Sequence, residues 1–403
     1  MKVKRFPHDF QVEELTNVAP GKGSYALYRM TKTSIGTMEA IDVITRRMQL
    51  ERRRISYGGL KDKHAVTRQF ITIQQGPHRN FEHAQIELTY LGQTARPFTA
   101  AEIAGNRFEI VLRDLTPAAA ALAQQNLTDV ADCGVPNYFD DQRFGSVGQS
   151  GEFVGQAWCK GNYERALWLA LADPHPFDRS QERSAKQFLR EHWGDWILCK
   201  AELPKSHRRS IVTYLVDHPT NFRGAWARVR VDLRSLYLAA FQSYLWNVLL
   251  ENWLTENCPV DQLFPVRMHL GTVPYYSRLS ADALEKIATL TIPLPCARQH
   301  LPEGPELDFI ERVLGKLELA LREIRVKYPR DSFFSKGRRA AIIRPGEPTA
   351  SIEPDEESQG KMKLRLGFSL PKGSYATVVI KRLTGDVEIP FDEIEEEEEI
   401  EAR

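Results

Sequence analysis

The stretch "SYGGLKDKHAVTRQFITI", Ser56 to Ile73, places two glycines and a lone Asp between lysines ahead of an apolar, β-branched run. "RQFITIQ" predicts a strand, so Asp62 sits in the loop that feeds it. Between Thr45 and Gln69 lie Arg46, Arg47, Arg52, Arg53, Arg54, Lys61, Lys63 and Arg68, against only Glu51 and Asp62. Such a basic strip can line up against phosphates. A carboxylate among cations stays ionised, which suits a nucleophile or a base better than a proton donor. Gly58 and Gly59 would let a partner's backbone approach closely. On spacing alone, however, an Asp flanked by lysines reads as a salt-bridged loop residue.

Working outward, residues 3–16 and 23–31 read as strands, with a Pro-Gly turn at Pro20 and Gly21 between them. Thr37 to Gln49 reads as a helix: Thr37 is the expected N-cap, and Ile41, Ile44 and Met48 recur at helical spacing. "RFEIVLRDL" (107–115) is a further strand, followed by an Ala-rich helix over about 117–131. From Tyr163 to Tyr328 the pattern turns mostly helical. Its clearest helix is "LYLAAFQSYLWNVLLENWL" (236–254), with Leu238, Phe241, Leu245, Val248 and Leu249 on one apolar stripe. After residue 337 strand character returns in "RAAIIRP", "KMKLRLGFSLP" and "YATVVIKRL", with a polar loop "GEPTASIEPDEESQGK" between the first two. Sheet, helices, then sheet again reads as one α+β domain carrying a helical insertion. The expected parts are 1–160 and 337–385 for the first domain, 161–336 for the insertion, and 386–403 for a disordered acidic tail.

The chain of 403 residues has a net charge of +1, which hides a segregation. Residues 386–403 hold ten acids and one base; taking them from totals of 53 and 54 leaves 43 acids against 53 bases, a body of +10. A basic body points toward nucleic acid. No run of about 18 apolar residues occurs, so no membrane span is expected. The first residues, "MKVKRFPHDFQVEEL", lack the apolar core of a secretory signal. Five scattered cysteines, without C-x-x-C or zinc-ligand histidine spacing, predict a reduced, cytoplasmic protein with no structural metal. No obligate protein partner is evident.

Phosphate-loop, dinucleotide and nucleophile-elbow patterns are missing. "GSVGQSGEFVG" (145–155) fits none of them, so the reaction is expected to need no diffusible cofactor. A second loop, "VPNYFDDQRFG" (135–145), combines Tyr138, Phe139 and Phe144 with Asn137, Gln142 and Arg143. An aromatic beside amide and guanidinium groups is what stacking on an unpaired base requires. The competing reading is that Phe139 and Phe144 only anchor the loop to the core.

Together, "GGLKDKHAVTRQF" and "PNYFDDQRFG" closely resemble the two signature motifs of the TruD family of tRNA pseudouridine synthases. "FPHDFQVEEL", "YALYRMTKTSIGT", "AAFQSYLWN", "RRAAIIRP" and "FSLPKGSYATVVIKRL" extend the resemblance, in order, to about residue 384. It implies a pseudouridine-synthase catalytic domain with a mixed, mostly antiparallel sheet, interrupted by a largely helical insertion domain. It implies cofactor-free isomerisation of uridine to pseudouridine, typically at position 13 in the D-arm of tRNA. The N1–C1′ bond breaks, the uracil turns and C5 rejoins C1′. A non-catalytic RNA-binding protein on the same scaffold is the alternative.

Carried over residue by residue, Asp62 matches the catalytic aspartate, and Phe139 the aromatic that stacks on the target base. Asn137 becomes polar support for base or loop. Lys32, in the Lys-Thr turn, becomes the cation expected to pair with Asp62. Lys61 and Arg143 become candidate phosphate contacts. Two positions depart from the family pattern. Gly36 stands where Asn is frequent, which removes a polar contact, and Asp140 stands where Gly is frequent, which adds negative charge.

Overall fold

The computed structural model describes residues 1–385; the acidic tail lies outside the described residues. The chain divides into two compact units, residues 1–137 with 343–385, and residues 138–342.

The first unit is built on a nine-stranded sheet. Its strands are β1 (Phe10–Thr16), β2 (Tyr25–Thr33), β3 (Ile55–Tyr57), β4 (Val66–Gln74), β5 (Phe81–His83), β6 (Ile86–Thr94), β7 (Ile103–Leu115), and two C-terminal strands, Gly346–Pro354 and Met362–Pro371. From one edge the order is Gly346–Pro354, Met362–Pro371, β7, β1, β4, β2, β6, β5, with β3 pairing β4. β1 and β4 run parallel while the other pairs described are antiparallel, so the sheet is mixed and mostly antiparallel. β4 lies between β1 and β2, so the Pro20-Gly21 segment is a crossover rather than a hairpin turn; Gly21 instead bridges to Gln93 of β6.

Alternation along the strands separates two faces. Ala26, Tyr28 and Met30 of β2 and Ile71 and Ile73 of β4 are buried with Ile41 and Ile44 of α1 (Thr37–Met48). The opposite face of the same strands carries Arg29 and Thr31 of β2 and Arg68 and Phe70 of β4. Register places Arg29 beside Phe70 and Thr31 beside Arg68. α2 (Pro117–Cys133) lies along the C-terminal strands and packs against a helix at Ala376–Thr384.

Several local expectations need correction. Strand β1 starts at Phe10; Pro7–Asp9 is a turn of 3₁₀-helix, with the Phe6 N–H donating to Asp9 Oδ2 at 3.0 Å. The N-cap of α1 is Gly36, whose N–H donates to Glu39 Oε2 at 3.2 Å, and Thr37 is the first helical residue. The polar stretch after residue 345 is not a loop. Gly346–Pro354 pairs with Met362–Pro371 at the edge of the sheet, where polar and charged residues are usual. "YATVVIKRL" is helical from Ala376 despite its β-branched run, because Val378, Val379, Ile380 and Leu383 are buried in packing that overrides local propensity.

The two chain segments of this unit are tied by a buried cation. Arg113 of β7 donates to Asp9 Oδ2 through Nε and to Asp9 Oδ1 through Nη2, each at 2.9 Å, and to Asp355 Oδ1 at 3.0 Å. Burial pushes the Asp355 carboxyl up, but the N–H groups of Asp114 and Glu357 and then Arg113 hold it net below its usual range.

The second unit centres on one long helix, Val231–Asn257. Leu238, Phe241, Leu245 and Leu249 are buried as a stripe, and Gln242, Trp246, Asn247 and Leu250 are buried too, so the helix is surrounded. Its polar side chains tether loops: Gln242 donates to the carbonyls of Pro295 and Ser335, and Trp246 Nε1 to that of Ile292. A hairpin of strands Leu263–Met268 and Gly271–Tyr276 interrupts the helices.

Arg113→Met leaves two buried carboxylates without their cation, and is expected to cost about 3–5 kcal/mol of unfolding free energy in urea titration. Because the Asp355 pKa is lowered in the folded state, its contribution is present above the ordinary carboxylate range and is lost as pH falls through the lowered value. The deficit of the variant should therefore shrink in acid.

Candidate active site

Asp62 lies in the loop between β3 and β4, and the loop is fixed from below by Lys32. Lys32 belongs to β2 and is fully buried. Its ammonium donates to the carbonyls of Ile35 at 2.6 Å, Lys61 at 3.1 Å and Asp62 at 2.7 Å. Three carbonyls match the three N–H donors of an ammonium, which satisfies a charge that would otherwise be costly to bury. The ion pair to the carboxylate comes from Lys4, whose Nζ lies 2.9 Å from Asp62 Oδ2. Lys4 also sits over the Phe10 ring, 4.4 Å from its centroid. The Asp62 side chain remains 24% exposed while that of Lys4 is 8% exposed, so the carboxylate is reachable and its partner is not. Nothing in the spacing of the sequence marks Lys4, 58 residues away.

A second layer positions the same loop. β2 occupies one edge of β4 along its whole length. The other edge is shared, by β1 over Val66–Arg68 and by β3 over Ile71–Ile73. In the gap the Phe70 N–H donates to Glu14 Oε2 at 2.8 Å. Glu14 is buried, and Lys61 Nζ approaches its Oε1 to 3.0 Å while donating to Asn106 Oδ1 at 2.7 Å. Lys61, expected at phosphate, is thus engaged inside the protein. Thr37 accepts from the Lys61 N–H at 2.9 Å and donates to Gln69 Oε1 at 3.0 Å; Gln69 Nε2 donates to the Gly59 carbonyl at 3.0 Å. Thr37 is therefore a site residue rather than a cap.

The glycines divide in function. A Cβ on Gly58 would lie 2.5 Å from Ile103 Cδ1 and 3.1 Å from Phe98 Cε1, so its bareness serves packing within the protein. A Cβ on Gly59 would meet nothing within 4 Å, which leaves that position open to an approaching ligand. The basic strip is also sorted. Lys63 pairs with Glu39, Arg53 with Glu51, and Arg54 donates to the carbonyls of Gln74 and Gln75. Arg47 and Arg68 have no ion-pair partner among the described residues.

The second signature loop belongs mainly to the other unit. Asn137 is buried at the end of the first unit. Phe139 is held by Asn247 of the long helix: Asn247 Oδ1 accepts from the Phe139 N–H and its Nδ2 donates to the Phe139 carbonyl, both at 2.8 Å. The ring meets Trp246 edge-on, with centroids 5.6 Å apart, and the Arg339 guanidinium lies 4.1 Å from its centroid. Arg143 sits 5.7 Å from the same centroid and donates to Ser243 Oγ at 3.2 Å. Tyr138 and Phe144 are buried anchors, the Tyr138 hydroxyl donating to the Pro274 carbonyl at 3.1 Å. Asp140 is buried as well, so its charge is not displayed on the surface. Arg339 and Asn247 escaped the sequence reading; Asn247 was visible only as the last letter of "AAFQSYLWN".

Among the described residues no group of three or more His, Cys, Asp or Glu could hold a metal ion. Burial pushes the Cys159 thiol up to about 12 and the Cys199 thiol to about 11, away from nucleophilic thiolates.

Residues 1–383 match the family described as tRNA pseudouridine synthase D (TruD). The chain belongs to this family. It is 29% identical over 395 residues to "Probable tRNA pseudouridine synthase D 1" of Methanococcus maripaludis, covering 95% of this chain and 99% of the relative. To "tRNA pseudouridine synthase D" of Aquifex aeolicus it is 27% identical, covering 95% and 98%. A crystal structure of the Methanosarcina mazei TruD protein superposes with a TM-score of 0.72 at 27% identity, covering 95% of this chain and 93% of that one. The TruD chain described here is accordingly an isomerase of the pseudouridine-synthase class.

Lys32→Met removes the donors that hold the Ile35, Lys61 and Asp62 carbonyls. Amide hydrogen exchange over residues 58–64 should accelerate at least tenfold relative to the strands, with about 1–3 kcal/mol lost in global stability.

Proposed function

We propose that this TruD protein converts uridine to pseudouridine in tRNA, at position 13 of the D-arm, with Asp62 as the catalytic carboxylate and without a cofactor. The observation that carries this reading is the Lys4–Asp62 ion pair on a loop immobilised by Lys32. A carboxylate held by an ammonium and partly exposed, on a backbone that does not need to reorganise, is the preorganised group such chemistry requires. Uridine and pseudouridine are isomers, so the reaction balances within the nucleotide. The N1–C1′ bond breaks, C5–C1′ forms, the C5 proton leaves and N1 gains one. Attack by Asp62 at C1′ and removal of a ribose or uracil proton by Asp62 both fit this balance. Lys61, through Glu14 and Asn106, acts as a positioning residue. The D-arm assignment rests on the family resemblance.

The target base must leave its stack, at a cost of a few kcal/mol. Phe139 is itself buried, and the platform that offsets this cost is the Arg339 guanidinium backed by the Phe139 ring, since guanidinium planes stack on bases. Asn137 and Arg143 support that loop. Five free thiols suit a reducing compartment, and the cytoplasm is the proposed location. No helix among the described residues is long and apolar enough to cross a membrane.

Asp62→Asn should abolish pseudouridine formation in a single-turnover assay while leaving tRNA affinity within about threefold of wild type. A variant that retains turnover removes Asp62 from the chemistry. Wild-type protein that binds tRNA yet forms no pseudouridine favours the non-catalytic reading.

Phe139→Ala should lower the single-turnover rate by about 10–100-fold, given roughly 1–3 kcal/mol per stacked base. An unchanged rate would exclude the stacking role.

A further inference from the structure

A cavity in the first unit is separate from the Asp62 carboxylate, which does not line it. It has a volume of about 410 Å³ and lies between the segments 17–22 and 94–98. Lys22 and Arg96 line it, with Phe98, Thr72, Asn17 and Glu102. Both cations are exposed, and neither side chain has an ion-pair or hydrogen-bond partner among the described residues. They share this state with Arg47 and Arg68, whereas most other cations near the Asp62 loop have a partner.

The walls are built rather than incidental. The Gly21 N–H donates to the Gln93 carbonyl at 2.7 Å, and a Cβ on Gly23 would lie 2.1 Å from the Thr94 carbonyl oxygen. Gly23 has a φ of +149°, so only glycine lets the two segments close on each other there. The Phe98 N–H donates to Thr72 Oγ1 at 2.9 Å, and Thr94 Oγ1 to the Arg96 carbonyl at 2.9 Å. The Glu102 carboxylate accepts from the Thr99 N–H at 2.7 Å and hydroxyl at 2.6 Å. It stays an acceptor that a ribose hydroxyl or an exocyclic amine can use.

The cavity lies beside β4, whose Thr72 lines it. Phe98 lies 5.6 Å from Phe70, centroid to centroid, and against Gly58 of the Asp62 loop. From Val66 to Thr72 strand β4 runs about 20 Å. That is roughly six stacked nucleotides at 3.4 Å per step.

We infer that this cavity binds a nucleotide of the substrate RNA some distance from the target uridine, with Lys22 and Arg96 on its phosphates and the Glu102 carboxylate on its ribose or base, the buried Phe98 forming the floor. The inference rests on the tRNA reading and adds a subsite to it. The cavity has the size range of a small-ligand pocket, and two unpaired cations fit phosphates better than any neutral ligand.

The test is the double variant Lys22→Ala, Arg96→Ala, which alters exposed side chains only. Kd for tRNA should rise about tenfold, and the slope of log affinity against log salt should fall by about 1.4, the value for two lost contacts to a single strand. The single-turnover rate at saturating tRNA should match wild type. Unchanged Kd and slope would overturn the inference, as would a rate defect without an affinity defect. An equal loss of affinity for oligouridylate and for polyglutamate would overturn the nucleotide assignment. If wild type forms no pseudouridine but the double variant still loses tRNA affinity and slope, the subsite stands and the catalytic reading falls.

Discussion

The structure around Asp62 depends on one buried ammonium. Lys32 reaches from β2 to three main-chain carbonyls, two of them belonging to Lys61 and Asp62. A charge in the interior is tolerated only where dipoles or opposite charge surround it. Here the dipoles belong to the loop that carries Asp62, so the need to satisfy the lysine dictates the loop's conformation. Thr37, Gln69 and the Glu14–Lys61 pair then hold the loop's flanks to α1, β4 and β1. The apolar core on the same face of β2 and β4 makes these anchors rigid, because Ala26, Tyr28, Met30, Ile71 and Ile73 fix both strands against α1.

Two lysines therefore divide a task that the sequence suggested for one. Lys32 was the expected partner of the Asp62 carboxylate. The structure gives it the main chain of the loop, and brings Lys4 to Oδ2. The division separates geometry from charge. Carbonyl dipoles locate the backbone, while a second ammonium fixes the orientation of the carboxylate and favours its ionised form.

What was legible in the sequence follows from the range of each interaction. Periodicity reports neighbours within one element, so α1, β4, β7 and the long helix were readable from Ile41 and Ile44, from "RQFITIQ", and from the stripe at Leu238, Phe241, Leu245 and Leu249. The helix at Ala376–Thr384 was misread because its β-branched residues obey packing against α2 rather than their own preference. The edge strand Gly346–Pro354 was misread because an edge tolerates the polar composition of a loop. Lys4, Glu14, Asn247 and Arg339 act across tens to hundreds of residues, and no local pattern marks such partners. Asp62 and Phe139 were singled out by the resemblance of their motifs and not by spacing.

The same distinction explains the basic residues. Composition counted Lys61, Lys63, Arg53 and Arg54 as one strip available to phosphate, yet each has an internal partner. Net charge measures the long-range attraction of a polyanion, because paired cations still contribute to the field. Contact is a different matter, since a phosphate must compete with whatever carboxylate or carbonyl a cation already holds. The cations best placed for contact are those without such partners: Arg47 and Arg68, and Lys22 and Arg96 at the cavity beside Phe98. Steering and docking thus draw on different lysines and arginines of one basic surface.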